Sequence, residues 1–158
     1  MHAENVVVIR GELDQIVELA ADIERWPAIL PHYRWVTLLD GGGDHKVVEM
    51  AARRGRIPVR WRAVQDIDRS GVTPVISFRH IWGVTKGMDV DWTFEPTEEQ
   101  VAVRIRHDFN PGWPIVGAPI SERIIGPQFI SPIANRTLTT IKGIVEGRDP
   151  RCDPRSPQ

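Results

Sequence analysis

IPVRWRAVQDIDRSGVTPVISFRHIWGVTKGMDVDWTFEPTEEQVAVRIRHDF, from Ile57 to Phe109, decides the fold. The turn segments DRSGVTP, GVTKG and PTEEQ cut it into four runs. One parity of these runs holds Ile57, Val59, Trp61, Ala63 and Gln65; then Ile76, Phe78, His80 and Trp82; then Met88, Val90, Trp92 and Phe94; then Val101, Val103, Ile105, His107 and Phe109. The other holds Arg60, Arg62, Asp66, Arg79, Asp89, Asp91, Arg104, Arg106 and Asp108. Side chains alternate faces along a strand, so the runs predict an antiparallel sheet with one wet face and one apolar face. Gln65, His80 and His107 fall on the apolar side. An unpaired polar group there costs about 1–3 kcal/mol. Three of them among tryptophans predict a lined cavity rather than a solid core.

Outward from this stretch, NVVVIR (Asn5–Arg10) reads as a strand, and ELDQIVELAADIERW places Leu13, Ile16, Val17, Leu19, Ala20 and Ile23 at helical spacing. WPAIL, between Pro27 and Pro31, is a second short helix. Tyr33–Leu39 and Lys46–Arg53 are strands joined by the hairpin connection DGGGD. After the Pro/Gly-rich loop NPGWPIVGAP (Asn110–Pro119), Ile130, Ala134, Leu138, Ile141 and Val145 form one helical stripe. That helix starts either with Ser131 as N-cap before Pro132, or near Ser121 with kinks at Pro127 and Pro132. The order is βααββββββα. The expected class is α+β: a curved antiparallel sheet of about seven strands wrapped on a long C-terminal helix, the one large apolar element left to cover it.

The 158 residues fit a single domain, expected to span 1–147, with the Pro/Arg/Asp-rich 148–158 a disordered tail. The net charge of -1 gives no bulk pull toward nucleic acid or an acidic membrane. No apolar run reaches the length of a membrane span, and the N-terminus lacks a signal-peptide pattern, so a cytoplasmic home is expected. Cys152 is the one cysteine, which excludes an internal disulfide. The five histidines are scattered and give no metal-ligand spacing, and no cofactor motif is present. Trp35 has outward parity and reads as a lone exposed aromatic or part of a self-association patch. The protein is expected as a monomer or homodimer.

DIERWP (Asp22–Pro27), Tyr33, Trp61, MDVDWTF (Met88–Phe94), FNPGWP (Phe109–Pro114) and NRTLTTIKGIVE (Asn135–Glu146) carry a family resemblance. Through them the chain resembles the helix-grip superfamily of START domains, coenzyme Q-binding proteins and polyketide aromatase/cyclases. It is most similar there to the single-domain bacterial aromatase/cyclases of type II polyketide pathways. The resemblance covers about Glu4 to Glu146 and rests on fold and cavity-wall positions. It implies a cavity that binds a poly-β-ketone and steers aldol closure, dehydration and aromatisation, with an acyl carrier protein as a partner. Those enzymes carry an inward arginine on the long strand, where Gln65 stands here.

His107, His80, Tyr33 and Gln65 are the candidates for proton transfer and carbonyl hydrogen bonding. Trp26, Trp61, Phe78, Trp82, Trp92, Phe109 and Trp113 are the candidate ligand-binding walls. Two functions fit this set. One is a cyclase/dehydratase that works by holding a flexible chain in one reactive conformer. The other is a carrier for a lipid, quinone or other apolar metabolite, which Gln65 in place of arginine favours.

Overall fold

The computed structural model describes residues 2–110 and 130–147. The strands are β1 (His2–Arg10), β2 (Tyr33–Gly42), β3 (His45–Arg54), β4 (Ile57–Asp68), β5 (Val75–Gly83), β6 (Met88–Pro96) and β7 (Gln100–Phe109). Between β1 and β2 lie α1 (Leu13–Ala21), a 3₁₀ turn (Ile23–Arg25) and α2 (Trp26–Ile29); α3 (Ser131–Val145) follows β7. The strands form one antiparallel sheet in the order β1-β7-β6-β5-β4-β3-β2. Six consecutive strands thus pair as hairpins, and β1 closes the sheet on β7. This is the α+β helix-grip arrangement that the alternation predicts.

β1 begins at His2, three residues before the apolar NVVVIR. His2 and Ala3 pair with Asp108 and His107, so tertiary pairing extends a strand whose polar start carries no pattern. The first predicted helix is broken at Asp22, where φ is −82° and ψ is 66°. The break turns the chain so that both Ile16 of α1 and Trp26 of α2 point into the core.

α3 packs on β1 and α1. Its buried face is Ala134, Thr137, Leu138 and Ile141. Ser131 is the first helical residue rather than the cap. Ile130 stands at the cap with helical φ −70° and ψ −56°, and Pro132 sits in the first turn, where its missing N–H leaves no bond unmade. Whether helix precedes Ile130 lies outside the described residues. The Asn5 side-chain amide donates to Asn135 Oδ1 at 2.8 Å, and the Lys142 ammonium donates to the Val8 carbonyl, so the far side of α3 is fixed to β1.

The alternation holds on β4, β6 and β7 and fails at the end of β5. There the register runs from Ala63↔His80 directly to Arg62↔Trp82, leaving Ile81 as a bulge. One extra residue reverses the facing of everything after it. Trp82 therefore lies on the outer surface, 41% exposed, with the Arg60 and Arg62 guanidinium carbons each 5.0 Å from its ring. It is not a cavity wall. Gly83 completes the bulge at φ +96°, and a Cβ there would lie 2.5 Å from the Arg60 carbonyl oxygen. Trp35, on edge strand β2, is half-buried beside a second register shift at Arg34.

The interior has two halves. Toward the β6–β7 turn it is solid: Ile9, Ile16, Phe94, Val101, Val103 and Ile141 are all within 1–2% of complete burial. Toward the β3–β4 and β5–β6 turns the same sheet face is hollow. There the sheet curves away from α3, and large aromatic rings line the gap.

Candidate functional site

The hollow half is a cavity with about 660 Å³ of empty space, counting its open mouth. Its walls are Met50 of β3, Val59 and Trp61 of β4, Phe78 and His80 of β5, Met88, Val90 and Trp92 of β6, and Ile105 and His107 of β7. α2 contributes Trp26, β2 contributes Tyr33, and α3 with its cap contributes Ile130, Ile133, Ala134 and Thr137. Among the described residues the wall is overwhelmingly apolar, with polar groups at two places, as in small-molecule ligand pockets.

Trp26 is the hub of the aromatic wall. Its ring lies 4.9 Å from Tyr33, 5.8 Å from Trp92 and 6.1 Å from Phe78. Its indole N–H donates to the Leu19 carbonyl at 3.0 Å, so the polar edge is satisfied by α1 and the faces stay free. Tyr33 extends the cluster to Trp61 at 6.2 Å in an edge-on arrangement.

The sheet side of the cavity carries the first polar group. The His80 Nδ1 and Thr85 Oγ1 are 2.7 Å apart, both buried, and Thr85 comes from the β5–β6 turn. His107 lies on β7, opposite Val90, and its Nδ1 is buried without a hydrogen-bond partner among the described residues. Burial holds both imidazoles neutral. His80 is pushed down to about 3 by desolvation and then by the nearby His107; His107 is pushed down to about 4 by desolvation, against a smaller upward pull from Asp108.

The helix side carries the second. The Thr137 hydroxyl donates to the Ile133 carbonyl at 2.9 Å and lies 2.8 Å from His32 Nε2. With its one proton engaged, Thr137 accepts from His32, which fixes the hydrogen on Nε2 and leaves the buried Nδ1 without a partner. Desolvation, and then Arg136, lower His32 to about 4. Tyr33, whose ring is tilted 55° to that of His32 at 4.8 Å, has its phenol pushed above the ordinary range by burial. It stays a neutral hydroxyl at any working pH. Among the described residues, no three of His, Cys, Asp and Glu come together to hold a metal ion.

Residues 11–124 match the family model for polyketide cyclase / dehydrase and lipid transport proteins. The chain belongs to that family. A Streptomyces halstedii protein assigned as a polyketide cyclase is 30% identical over 106 residues, which are 65% of this chain and 95% of the relative. The Zhui aromatase/cyclase of a Streptomyces species superposes with a TM-score of 0.79 at 22% identity over 94% of both chains. The STAR-related lipid transfer protein of Xanthomonas axonopodis superposes at 0.67 with 13% identity, over 92% of this chain and 85% of that one. At such identities these two structures share the fold. One frame therefore serves members named for cyclisation and members named for lipid transfer. No helix among the described residues is long and apolar enough to cross a membrane.

Within this family member the sequence-read candidates separate. His107, His80, Tyr33, Trp26, Trp61, Phe78 and Trp92 meet around one cavity. Gln65 does not join them. It points inward and is fully buried, but its Nε2 donates to the Ala21 carbonyl at 3.0 Å, so it ties β4 to the end of α1. Phe109 is buried in the core and is not among the lining residues. Trp113, and the Pro/Gly-rich loop from Pro111 onward, lie outside the described residues. Thr85, Thr137 and His32 were missed by the sequence reading. Thr85 sits in a turn and His32 just before a strand, where alternation is silent. Thr137 had a signal, standing three residues after Ala134 on the same helical stripe.

Proposed function

We propose that this protein is a polyketide cyclase/dehydratase of the cytoplasm, which folds a hydrophobic poly-ketone in its cavity and promotes one regiospecific aldol closure with loss of water. The observation that carries the reading is the pairing of an aromatic wall with neutral polar groups at both sides of one cavity. A flexible chain gains most from being held as a single conformer, a contribution of about 7–11 kcal/mol in well-oriented intramolecular reactions. The walls around Trp26 supply that confinement. His107 and His80 are weak bases at their lowered pKa values, so their role is donation of an N–H to a ketone oxygen where enolate charge develops. Tyr33, whose phenol reaches Thr137, adds a neutral hydroxyl to the same wall. Gln65 has no part in this chemistry.

An acyl carrier protein is the partner that this reading requires. In support, the sheet end bearing the cavity gathers exposed Arg53, Arg56, Arg60 and Lys86 around exposed Ile57 and Val84. A basic surface with apolar tips fits an acidic carrier. The deciding experiment supplies a carrier-bound poly-ketone and reads the products by mass spectrometry. A shift from the spontaneous mixture to one dehydrated ring is expected. An unchanged mixture, with a small molecule co-purifying on the protein, favours the second reading: a carrier for an apolar metabolite. That reading draws on the low basicity of both histidines and on the inward-tied Gln65.

A further inference from the structure

We infer that two copies of this chain associate through the outer edge of β2, antiparallel about Thr37, to make one continuous sheet.

β2 stands at the end of the strand order, and its outer edge meets no described strand. Such an edge presents a row of N–H and C=O groups to another chain. Arg34, Thr37 and Asp40 are exposed along it, and Trp35 and Val36 are half-buried. Leu38 is 40% exposed and Leu39 48%, both large apolar side chains. Register shifts between Tyr33 and Trp35 and between Leu38 and Asp40 leave Arg34 and Leu39 without partners on β3. Bulges commonly blunt an edge. These two bracket the regular run 35–38 instead of interrupting it.

The edge is complementary to itself. Successive residues of a strand turn their N–H and C=O groups to opposite edges, so two copies of one strand pair only residues of like parity. The two-fold axis must therefore pass through a residue. Through Thr37 it sets Val36 across Leu38, Trp35 across Leu39 and Arg34 across Asp40 of the second copy, each contact made twice. Through Val36 it would set Arg34 against Leu38, and through Leu38 it would set Val36 against Asp40. Apolar and opposite-charge cross-strand pairs are the stabilising ones, so charge and apolarity both select Thr37.

An axis of this kind is perpendicular to the sheet. The inner faces of both copies, and with them both cavities, then lie on one side. Tyr33, a cavity wall, directly precedes Arg34, so the strand that pairs is one that shapes the cavity. About seven residues a side is well below the ~20–30 of a standard interface, so the dimer is expected to be weak and reversible.

Sedimentation velocity of the full chain from about 1 to 300 µM tests the inference, with a passage from monomer to dimer expected across that range. Arg34→Asp and Asp40→Arg each bring like charges together at both ends of the seam and should weaken association at least about tenfold. Both changes in one chain restore opposite charges and should restore the dimer. An equimolar mixture of the two single variants should form a mixed dimer, because each then meets the opposite charge. Misfolding of either variant would not be repaired by mixing. A natural chain that stays monomeric at the highest concentration overturns the inference. So does a dimer indifferent to both reversals, or a loss that neither the double variant nor the mixture repairs.

Discussion

The imidazole of His80 lies flat on the indole of Trp61, with ring centroids 5.7 Å apart and planes within 3°. The two residues are not direct cross-strand partners: His80 pairs with Ala63, and Trp61 with Gly83. The Ile81 bulge draws them together by removing Trp82 from the inner face. Thr85 then fixes the rotation of the ring through Nδ1. Thr85→Val should strand that nitrogen in the interior and lower stability by about 1–3 kcal/mol in urea titration. A loss under about 0.5 kcal/mol would mean that the ring reorients freely, and the stack would have no fixed donor direction.

Leu138 is 2% exposed and Ile141 is 1% exposed, on the face of α3 that seals the solid half of the core. Leu138→Ala should cost about 2–5 kcal/mol as a large-to-small change at a packed site. Equilibrium unfolding measures it. An effect in the range of surface substitutions, about 0.5 kcal/mol or less, would place the helix stripe elsewhere.

Trp61→Ala and Trp82→Ala should separate cleanly. The first removes a cavity wall and should weaken binding of an aromatic ligand such as 2-naphthamide at least fivefold. The second removes an exposed ring with two guanidiniums 5.0 Å away and should leave that affinity unchanged, at a stability cost of about 0.5–1 kcal/mol for each cation–π contact. Equal losses of affinity from both variants would contradict the bulge at Ile81.

That bulge marks where the sequence stops being legible. Alternation over Ile57–Phe109 was enough to place Trp61, Phe78, His80, Trp92 and His107 on one inner face, because Phe78 and His80 precede the bulge on β5 and the other three lie on strands that carry no extra residue. A single inserted residue is invisible to a period-two pattern, so Trp82 was read onto the wrong side. Gln65 failed differently: its facing was right, but its partner is a carbonyl at the end of α1, a contact set by packing between elements distant in sequence. His32 and Thr137 form a pair 105 residues apart. No local spacing encodes such a contact, although the Thr137 position on the helical stripe marked it as inward.

Three buried neutral histidines make stability depend on pH in a stated direction. His32, His80 and His107 have folded-state values near 4, 3 and 4, below the ordinary 6.5. Above pH 6.5 both folded and unfolded chains hold them neutral, and their contribution is fully present. As pH falls below 6.5 the unfolded chain binds protons that the folded chain refuses, and stability is lost until the folded values are reached. The steepest loss is about 1.4 kcal/mol per pH unit for each such histidine. Urea midpoints should therefore be level above pH 7 and decline between pH 6.5 and 5, before carboxylates begin to titrate. His107→Gln should flatten the decline. A midpoint independent of pH across that window would show these rings to be solvated.

His107 is the residue on which the mechanism turns, and two substitutions distinguish how it works. It shares its facing with Val103 and Ile105, lines the cavity, and leaves Nδ1 without a partner among the described residues. If it donates an N–H to a ketone oxygen, His107→Ala should lower turnover by about 10²–10³, the effect of removing one donor to a developing oxyanion. His107→Gln, whose amide donates but does not titrate, should recover most of that loss. If it instead removes a proton, Gln is no better than Ala, and turnover should fall with pH as the imidazole protonates. If the protein is a carrier there is no turnover to lose, and His107→Ala should weaken ligand binding by about 0.5–1.5 kcal/mol, one hydrogen bond. Carrier-bound poly-ketone assays and fluorescence titration on the same three proteins give all of these readouts. A protein whose stability drops while neither binding nor turnover responds would reduce His107 to a buried core residue and remove the centre of the proposed site.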